Sequence, residues 1–404
     1  MKAGDADRIS DWIIRRGLEG AEETDLLREF CEKCNAAGLP ITRALVIIDT
    51  LHPVHEGTVF RWRNDDVEEK AATQYGPTTE GAAAESWQRS PFYYLWQNGG
   101  EELRWRLGFG ETADFPIVQD MKKDGHTDYI VFVHRFATGA AIGEMDGVYS
   151  GWSTRDSAGF SEANIAALRR LVPALDLAIK SAGLAKVADT LVQVYLGRDA
   201  GQRVLKGRIQ RGVADRIEAA LWFSDLRSFT TITDTAKPTE IIPLLNDYAE
   251  AVITAIHEAG GDVLKLIGDG TLALFRADDL SEACRRALKA EEIARGRVRE
   301  LNEKRRAQEQ PVTEVYVGLH VGEVFYGNIG SVERLDFTVV GPAVNETSRI
   351  ASMCRSVDRP ILISSTFADA LPTQERTNLV SVGRFALRGV GRAKELFTLD
   401  PATL

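Results

Sequence analysis

The strongest constraint on the fold is a pair of apolar segments that each carry an acid, with an amphipathic helix between them. The first segment spans residues 221–230 and contains Asp225, and the second spans residues 263–275 and contains Asp269 in a Gly-Asp-Gly turn. The helix is predicted over residues 239–257, and Gly260-Gly261 ends it. Its predicted buried face carries Ile242, Leu245, Ala249, Val252 and Ile256. This pattern predicts a strand–helix–strand unit with one carboxylate at the end of each strand.

Two carboxylates that meet at strand ends repel each other unless a cation lies between them. Oxygen ligands of this kind suit Mg²⁺ or Mn²⁺ rather than zinc. Such a pair can hold two metal ions about 3.5–4 Å apart, the spacing used for in-line displacement at phosphorus. Alternatively, Asp225 caps the next helix and Asp269 only forms a tight turn. These two residues alone leave both interpretations open.

Length, charge and cysteine content narrow the class of protein. A chain of 404 residues is too long for one ordinary core, so two domains are expected. The net charge of −10 argues against a general nucleic-acid binder. No apolar run is long enough to cross a bilayer, and the acids in residues 1–20 exclude a signal peptide, which predicts a cytoplasmic protein. Cys31 and Cys34 have CxxC spacing but lie in a helical pattern, which favours buried helix-face thiols over a redox or metal site.

The N-terminal half predicts a helix over residues 21–37, strands at 44–48, 58–62, 128–134 and 148–153, and a helix from Ser161 to about residue 180. Residues 64–88 are predicted to be loop. This order resembles a GAF-type sensor module, here residues 1–183, by pattern rather than by a specific motif. The aromatic-rich stretch 87–109 either lines a ligand pocket or forms core. His52 and His55 could ligate a metal, but they lack a partner at a telling spacing.

Residues 181–216 predict a continuous helix with a break near Gly197. Its apolar residues, among them Leu184, Leu191 and Val194, have heptad-like spacing. We therefore expect a helical linker over residues 184–216. It serves either as a coiled-coil signal relay in a dimer or as a plain connector.

The C-terminal half contains further motifs in a characteristic order. A long helix is predicted over 281–306, then a strand, a turn at Gly322-Glu323 and another strand within 315–330, and then the sequence Asp336-Phe-Thr338 followed by Asn345 and Arg349. Together with the two aspartates, this order resembles the catalytic domain of class III nucleotidyl cyclases over residues 217–404. The resemblance implies a ferredoxin-like βαββαβ core. The whole chain is therefore predicted to be an α+β protein, with a GAF-like domain and a helical linker before the cyclase domain.

The resemblance also assigns the metal and phosphate ligands. Asp225 and Asp269 match the metal-binding aspartates, and the carbonyl of Leu226 matches a backbone metal ligand, which implies two Mg²⁺ or Mn²⁺ ions per site. Residues 226–230, including Phe229 and Thr230, form a turn into a helix whose amides can cradle the polyphosphate.

The base and sugar contacts follow in the same way. Lys265 matches the purine-selecting lysine of adenylyl cyclases, where guanylyl cyclases have an acid, and lysine can donate to N1 of adenine. Thr338 stands where animal enzymes often have Asp, which indicates a Thr-containing subgroup and leaves bicarbonate sensitivity open. Asn345 and Arg349, four residues apart on one helix face, match the pair that positions the ribose and stabilises charge on the α-phosphate. Arg388 matches a basic residue on the triphosphate. Taken alone, each of these residues could instead have a purely structural role, such as a helix cap or a surface charge.

The activity implied is conversion of ATP to 3′,5′-cyclic AMP and pyrophosphate, with no side-chain general base evident. The resemblance implies a head-to-tail homodimer in which Asp225, Asp269 and Lys265 come from one subunit and Thr338, Asn345 and Arg349 from the other. The N-terminal domain would regulate this assembly, either by binding a small molecule or by recruiting a protein. A guanylate cyclase and a catalytically inactive nucleotide-binding regulator remain the alternatives.

Overall fold

The structure, a computed structural model, describes residues 1–65, 67–137, 139, 142–143 and 145–400. The chain forms two compact units, Met1–Leu191 and Val192–Leu404. Each is described by itself below. Among the residues described, no helix combines the length and the apolar character that crossing a bilayer requires.

The first unit is a six-stranded antiparallel sheet, in the order β3-β2-β1-β6-β5-β4, with helices on both faces. Its elements are α1 (Ala3–Leu18), α2 (Glu23–Ala36), β1 (Arg43–Asp49), β2 (Gly57–Arg63), β3 (Ala72–Tyr75), α3 (Gly81–Gln88), α4 (Pro91–Asn98), β4 (Glu102–Trp105), α5 (Pro116–Lys123), β5 (Asp128–Arg135), β6 (Gly147–Thr154) and α6 (Glu162–Leu196), which extends into the second unit.

Alternation along β1 separates two cores. Val46 and Ile48 pack on one side of the sheet in a core that includes Phe30 of α2. Leu45 and Ile47 point to the other side, where the core contains aromatic residues of α4, β5 and β6. Successive strand residues face opposite sides of a sheet, so a continuous apolar strand such as β1 requires cover on both.

Two local sequence patterns proposed as sites have structural roles in this unit. Cys31 and Cys34 are buried in the core on α2, and burial raises the pKa of both thiols. The Nδ1 atom of His52 accepts hydrogen bonds from the amides of Val54 at 3.1 Å and His55 at 3.3 Å. That nitrogen is therefore occupied by the local turn.

The four strands predicted in this unit are confirmed, but two other predictions are wrong. Residues 64–88 are not all loop, because β3 and α3 lie within them. β3 is a short edge strand that is mostly exposed, so it has no alternating apolar pattern to reveal it. The helix predicted over 181–216 ends at Leu205, after the expected break at Gly197, where φ is +87°.

The second unit is built on an eight-stranded sheet in the order β13-β14-β12-β10-β7-β9-β8, with β11 paired to β10. Its elements are α7 (Arg198–Leu205), β7 (Ala214–Leu226), α8 (Phe229–Thr235), α9 (Pro238–Glu258), β8 (Asp262–Ile267), β9 (Gly270–Phe275), α10 (Leu280–Ala307), β10 (Val315–Gly330), β11 (Leu335–Val340), α11 (Pro342–Val357), β12 (Ile361–Ser364), α12 (Ser365–Ala370), α13 (Thr373–Arg376), β13 (Leu379–Phe385) and β14 (Lys394–Leu399).

The central strands β10-β7-β9-β8 pair antiparallel, and α9 and α10 connect them in a βαββαβ order, as the sequence predicts. Trp222 of β7 packs with α9 and α10 on one face of the sheet. Leu221, its neighbour, packs on the opposite face with Ala343 of α11. The sheet is thus covered by α9 and α10 on one side and by α11 on the other.

The turn predicted at Gly322-Glu323 is wrong, because β10 runs unbroken and pairs with β7 from Val315 to Gly327. The glycines of β10 instead allow α11 to approach the sheet closely. A Cβ at Gly322 would lie 2.6 Å from the Cβ of Ala343, and one at Gly318 would lie 2.5 Å from the backbone nitrogen of Ala351. These positions need glycine for packing rather than for a turn.

Candidate active site

The carboxylates of Asp225 and Asp269 meet at the ends of adjacent strands. β7 pairs with β9 up to the pair Ser224 and Thr271, so the β8–β9 turn lies beside the end of β7. That turn consists of Gly268, with φ of +64°, and Asp269. The amide of Leu226 donates to Oδ1 of Asp225 at 3.1 Å and to Oδ2 of Asp269 at 3.2 Å. Both carboxylates therefore converge on one backbone N–H.

This proximity changes the acidity of the pair. Burial, together with the hydrogen bond and charge of Asp269, raises the pKa of Asp225 to about 6. A bound cation removes that repulsion, and two carboxylates with the nearby carbonyl of Leu226 form a donor set of hard oxygens suited to Mg²⁺ or Mn²⁺. In the part of the chain that the structure describes, no group of three or more His, Cys, Asp or Glu surrounds a metal position. Magnesium sites of this kind use one or two carboxylates and complete the shell with substrate phosphates and water.

A small cleft opens beside the aspartates. It has a volume of about 180 Å³ and is lined by Asp225, Asp269 and residues of α9, including Ile242, Leu245 and Ala249. The face of α9 that the sequence predicts to be buried is therefore only partly so, since Ile242 is 60% exposed. The residues that α9 buries most deeply are Leu244, Tyr248, Ala255 and Ile256. The apolar stripe of α9 thus serves both the core and the cleft.

Lys265 on β8 lies close in space to β11, the strand that carries Thr338. The ammonium of Lys265 forms a salt bridge with the carboxylate of Asp336. Asp336 and Thr338 are two residues apart on β11, opposite Ile329 and Gly327 of β10, so their side chains share a face. Within one chain, Lys265 therefore lies beside the strand that carries Thr338.

Asp336 is a further candidate site residue, which the structure adds through its contact with Lys265. The sequence motif singles out Thr338 and not Asp336. Its signal was present, since an acid two positions before Thr338 in a strand must share its face. The salt bridge with Asp336 affects both the charge and the orientation of Lys265.

Asn345 and Arg349 lie one turn apart on α11, as their spacing predicts. The guanidinium of Arg349 lies against Gly389, where a Cβ would be 3.4 Å from Nη2. Arg388, the preceding residue, is exposed in the loop between β13 and β14. Arg349 has no salt bridge to any residue that the structure describes. Its charge is therefore available to an anion.

The turn after β7 leads into a helix, as predicted. The amide of Arg227 donates to the carbonyl of Glu314 at 2.8 Å, which fixes the chain after Leu226. Ser228 has a left-handed conformation with φ of +57°, and α8 begins at Phe229 with Thr230 in its first turn.

The two halves of the expected site are not joined within this chain. Among the described residues, no hydrogen bond or salt bridge connects Asn345 or Arg349 to Asp225 or Asp269. One chain therefore presents an acidic pair at the end of β7 and a polar pair on α11 as separate groups.

Residues 214–400 match the family model described as the adenylate and guanylate cyclase catalytic domain. An adenylate cyclase from Anabaena cylindrica is 35% identical over 175 residues, which cover 42% of this chain and 34% of that protein. Adenylate cyclase 1 of Rhizobium meliloti is 30% identical over 154 residues, which cover 37% and 23%. The chain thus spans about a third of these curated relatives or less.

Solved structures of cyclases also resemble part of the chain. The crystal structure of the guanylyl cyclase Cya2 is 29% identical, with a TM-score of 0.41, and the match covers 46% of this chain and 93% of that one. The adenylyl cyclase CyaB from P. aeruginosa is 24% identical, with a TM-score of 0.42, covering 46% and 95%. The match to the adenylate and guanylate cyclase catalytic domain thus lies within the second unit and covers nearly all of it.

Proposed function

We propose that this chain is an adenylate cyclase, which converts ATP to 3′,5′-cyclic AMP and pyrophosphate at a site shared by two subunits of a homodimer. The observation that carries the proposal is the convergence of Asp225 and Asp269 on the amide of Leu226, within a cyclase catalytic domain. Two curated relatives of this domain are named adenylate cyclases, but a guanylyl cyclase structure also resembles it. The choice of purine therefore depends on residues of this chain.

Lys265 favours adenine. Its ammonium can only donate hydrogen bonds, and N1 of adenine is an acceptor, whereas N1–H of guanine requires an acceptor. The salt bridge to Asp336 holds the ammonium on the face of β11 that carries Thr338. The hydroxyl of Thr338 can accept from the adenine amino group or donate to the ring.

A guanylate cyclase is the second candidate, and Asp336 is the observation that favours it. Its carboxylate is the type of acceptor that guanine N1–H and the exocyclic amine require. In this structure that carboxylate is engaged by Lys265. A GTP reaction would require the salt bridge to open, which makes ATP the better substrate.

Asn345 and Arg349 act on the sugar and the α-phosphate. The amide of Asn345 offers both donors and an acceptor to the ribose, which orients the 3′-hydroxyl toward the phosphorus. Arg349 presents a planar fork of donors to the α-phosphoryl oxygens, where charge accumulates as the bond to pyrophosphate breaks. Because Arg349 has no described salt bridge to break, it can bind this charge directly. Mg²⁺ or Mn²⁺ held by Asp225, Asp269 and the Leu226 carbonyl would lower the pKa of the 3′-hydroxyl and screen the triphosphate.

The homodimer is proposed because the aspartate pair and the Asn345–Arg349 pair are not joined in one chain. A head-to-tail pair of subunits with two equivalent sites brings the sets together twice. Apolar residues are exposed on β11, the strand that carries Thr338, and on its neighbour β10. Val340 of β11 is 49% exposed, and its cross-strand neighbour Phe325 is 51% exposed. Leu266 beside Lys265 is exposed as well. Such side chains are suited to a subunit interface.

Regulation by the N-terminal half is part of the same proposal. We assign residues 1–183 to a GAF-like sensor, residues 184–216 to a linker and residues 217–404 to catalysis. Small rotations of two subunits would assemble or separate the shared sites, which is a known mode of switching at subunit interfaces.

The proposal is tested by measuring product formation from ATP and from GTP, each with Mg²⁺ and with Mn²⁺. Wild type should form cyclic AMP, and Asp225→Ala should lose activity by about 100-fold or more, because it removes half of the acidic pair. Asp278→Ala, at an exposed acid elsewhere in the same unit, serves as the matched control and should keep full activity. Excess cyclic GMP would overturn the argument from Lys265. Folded, dimeric protein without product from either nucleotide would favour the inactive regulator.

The placement of Lys265 is tested by mixing inactive variants. Lys265→Ala mixed with Asp225→Ala should regain activity, because one subunit then supplies an intact acidic pair and the other supplies an intact purine contact. Lys265→Ala mixed with Arg349→Ala should remain inactive, since both changes damage the same half of the site. The opposite result would restore the division in which Lys265 accompanies the aspartates.

A further inference from the structure

A large cavity lies in the first unit, between its sheet and the helices α3 and α4. Its volume is about 950 Å³, within the range of small-molecule pockets. The sheet contributes Leu45, Ile47 and Val59 to its walls, on the side of β1 that faces away from α2. Aromatic residues line much of the remainder: Tyr75, Trp87, Phe92, Trp96, Tyr129 and Tyr149. The cavity is therefore shaped for a ligand with a sizeable apolar body.

Carboxylates stand out among the polar residues of this cavity. Asp49 at the end of β1, Glu56 before β2 and Asp146 before β6 all line it. Neutral groups donate hydrogen bonds to them. The Tyr149 hydroxyl donates to Asp146 at 3.0 Å, the Tyr75 hydroxyl donates to Asp49, and the amide and hydroxyl of Thr78 donate to Glu56. The contacts of Glu56 and Asp146 orient these two acids without neutralising their charge.

Few positively charged side chains lie near these acids. In the described residues, neither Glu56 nor Asp146 forms a salt bridge. Arg89 lines the cavity but is exposed at its edge. Arg135 lies near enough to lower the pKa of Asp146, and its guanidinium is held by the carbonyls of Leu95 and Gly100 at 2.6 and 3.0 Å. The two arginines offset only part of the charge of Asp49, Glu56 and Asp146, so an excess of negative charge remains.

Tyr149 shows how closely these charges are grouped. Burial raises the pKa of its phenol, and the charges of Asp146 and Asp49 raise it further. Burial also raises the pKa of Asp146 itself. Two acids that act on one phenol leave a negative potential beside Tyr149 and Trp87, whose rings meet edge to face with centroids 5.2 Å apart. Aromatic faces attract cations, and more strongly where water is excluded.

We propose that this cavity binds a small organic cation, an ammonium group on an apolar or aromatic body. Glu56 and Asp146 pair with the ammonium, and Trp87, Phe92 and Tyr149 enclose the body. An anion would meet like charges, and a neutral ligand of the same shape would leave the acids uncompensated. A bare metal ion would not fill a volume of this size lined by aromatic rings.

The test uses three probes of nearly equal shape: phenethylammonium, neutral 2-phenylethanol and anionic 3-phenylpropionate. Each is titrated into the full chain by calorimetry, with the melting temperature as a second readout. The cation should bind and raise the melting temperature. The affinity of 2-phenylethanol should be lower by about tenfold or more, and 3-phenylpropionate should not bind. No heat from phenethylammonium at millimolar concentration, or equal binding of the neutral probe, would overturn the proposal.

Variants then locate the binding. Asp146→Asn and Glu56→Gln keep the shape of the acids but remove their charge, and each should weaken phenethylammonium about tenfold. Asp11→Asn, at an exposed acid on α1, is the matched control and should leave the affinity unchanged. Ala82→Trp adds bulk at an exposed residue of the cavity wall and should block binding without lowering the melting temperature. Unchanged affinity in both acid variants, or in Ala82→Trp, would refute this site.

Discussion

Replacing Gly318 with alanine should disturb the helix that carries Asn345 and Arg349. Gly318 lies on β10 directly beneath α11. A Cβ there would be 2.5 Å from the backbone nitrogen of Ala351 and 2.8 Å from the carbonyl oxygen of Thr347. Both neighbours are backbone atoms of α11, so no side-chain rotation can relieve the clash. The helix itself has to move.

The size of the movement follows from ordinary contact distances. Carbon and nitrogen atoms pack at about 3.5 Å, so α11 must withdraw from the sheet by about 1 Å. Overpacking of this kind costs about 1–3 kcal/mol in the free energy of unfolding. Arg349 is two residues from Ala351 and moves with it. A misplacement of about 1 Å at a catalytic group can reduce the rate about 100-fold.

Gly296→Ala is the matched control. Gly296 lies inside α10, and an added Cβ meets no atom within 4 Å. The same substitution there should stabilise the protein by about 0.5–1 kcal/mol, because alanine is the better helix former, and should leave activity unchanged.

Urea denaturation gives the stability of both variants, and cyclic AMP formation from ATP gives their rates. We expect opposite signs in stability and a rate loss confined to Gly318→Ala. If Gly318→Ala were as stable as wild type, the close seating of α11 on β10 would be refuted. If it were destabilised but fully active, the requirement for a fixed α11 would be refuted instead.

Two further predictions concern charged pairs. Asp336→Asn should change stability by less than about 1 kcal/mol, since the side chains of Lys265 and Asp336 are 33% and 43% exposed. It should raise KM for ATP, because Lys265 loses the partner that orients it, and an unchanged KM would argue against a role for the salt bridge. The second pair is His134 and Asp176, joined at 2.5 Å. Burial lowers the pKa of His134, but the hydrogen bond and charge of Asp176 raise it more, and the net pKa is raised. The contribution of protonated His134 to stability should be full just below pH 6.5 and be lost as pH rises through the raised pKa. Burial raises the pKa of Asp176, so the ion pair is also lost in acid once that carboxyl is protonated. Melting temperatures of wild type and His134→Gln should therefore differ most just below pH 6.5 and converge at high pH, whereas a constant difference would contradict this assignment.

Much of the second unit could be predicted from sequence because its signals are local. The apolar run before Asp225, the Gly-Asp-Gly turn and the periodicity of α10 each specify one element without reference to the rest of the chain. The spacing of Asn345 and Arg349 likewise places them on one helix face. Each of these features depends on residues that are close together in the sequence, so it can be predicted from the sequence pattern.

The failures came where tertiary pairing decides. Residues 206–216 contain apolar residues at helical spacing, but pairing with β10 draws Ala214 onward into β7. Gly322 is typical of a turn, but in the structure its missing side chain leaves room for α11, which is distant in sequence. Ile242 fits a buried stripe but faces the cleft beside the aspartates. None of these outcomes can be read from the neighbouring residues alone.

We propose that each active site is built from two subunits. The most direct measurement mixes Asp225→Ala with Arg349→Ala, each inactive alone, after the subunits have been allowed to exchange. Half of the dimers would then be mixed, and each would hold one intact and one doubly altered site, so activity should return to about a quarter of the wild-type value. Mixed dimers that form but remain inactive would contradict the shared site.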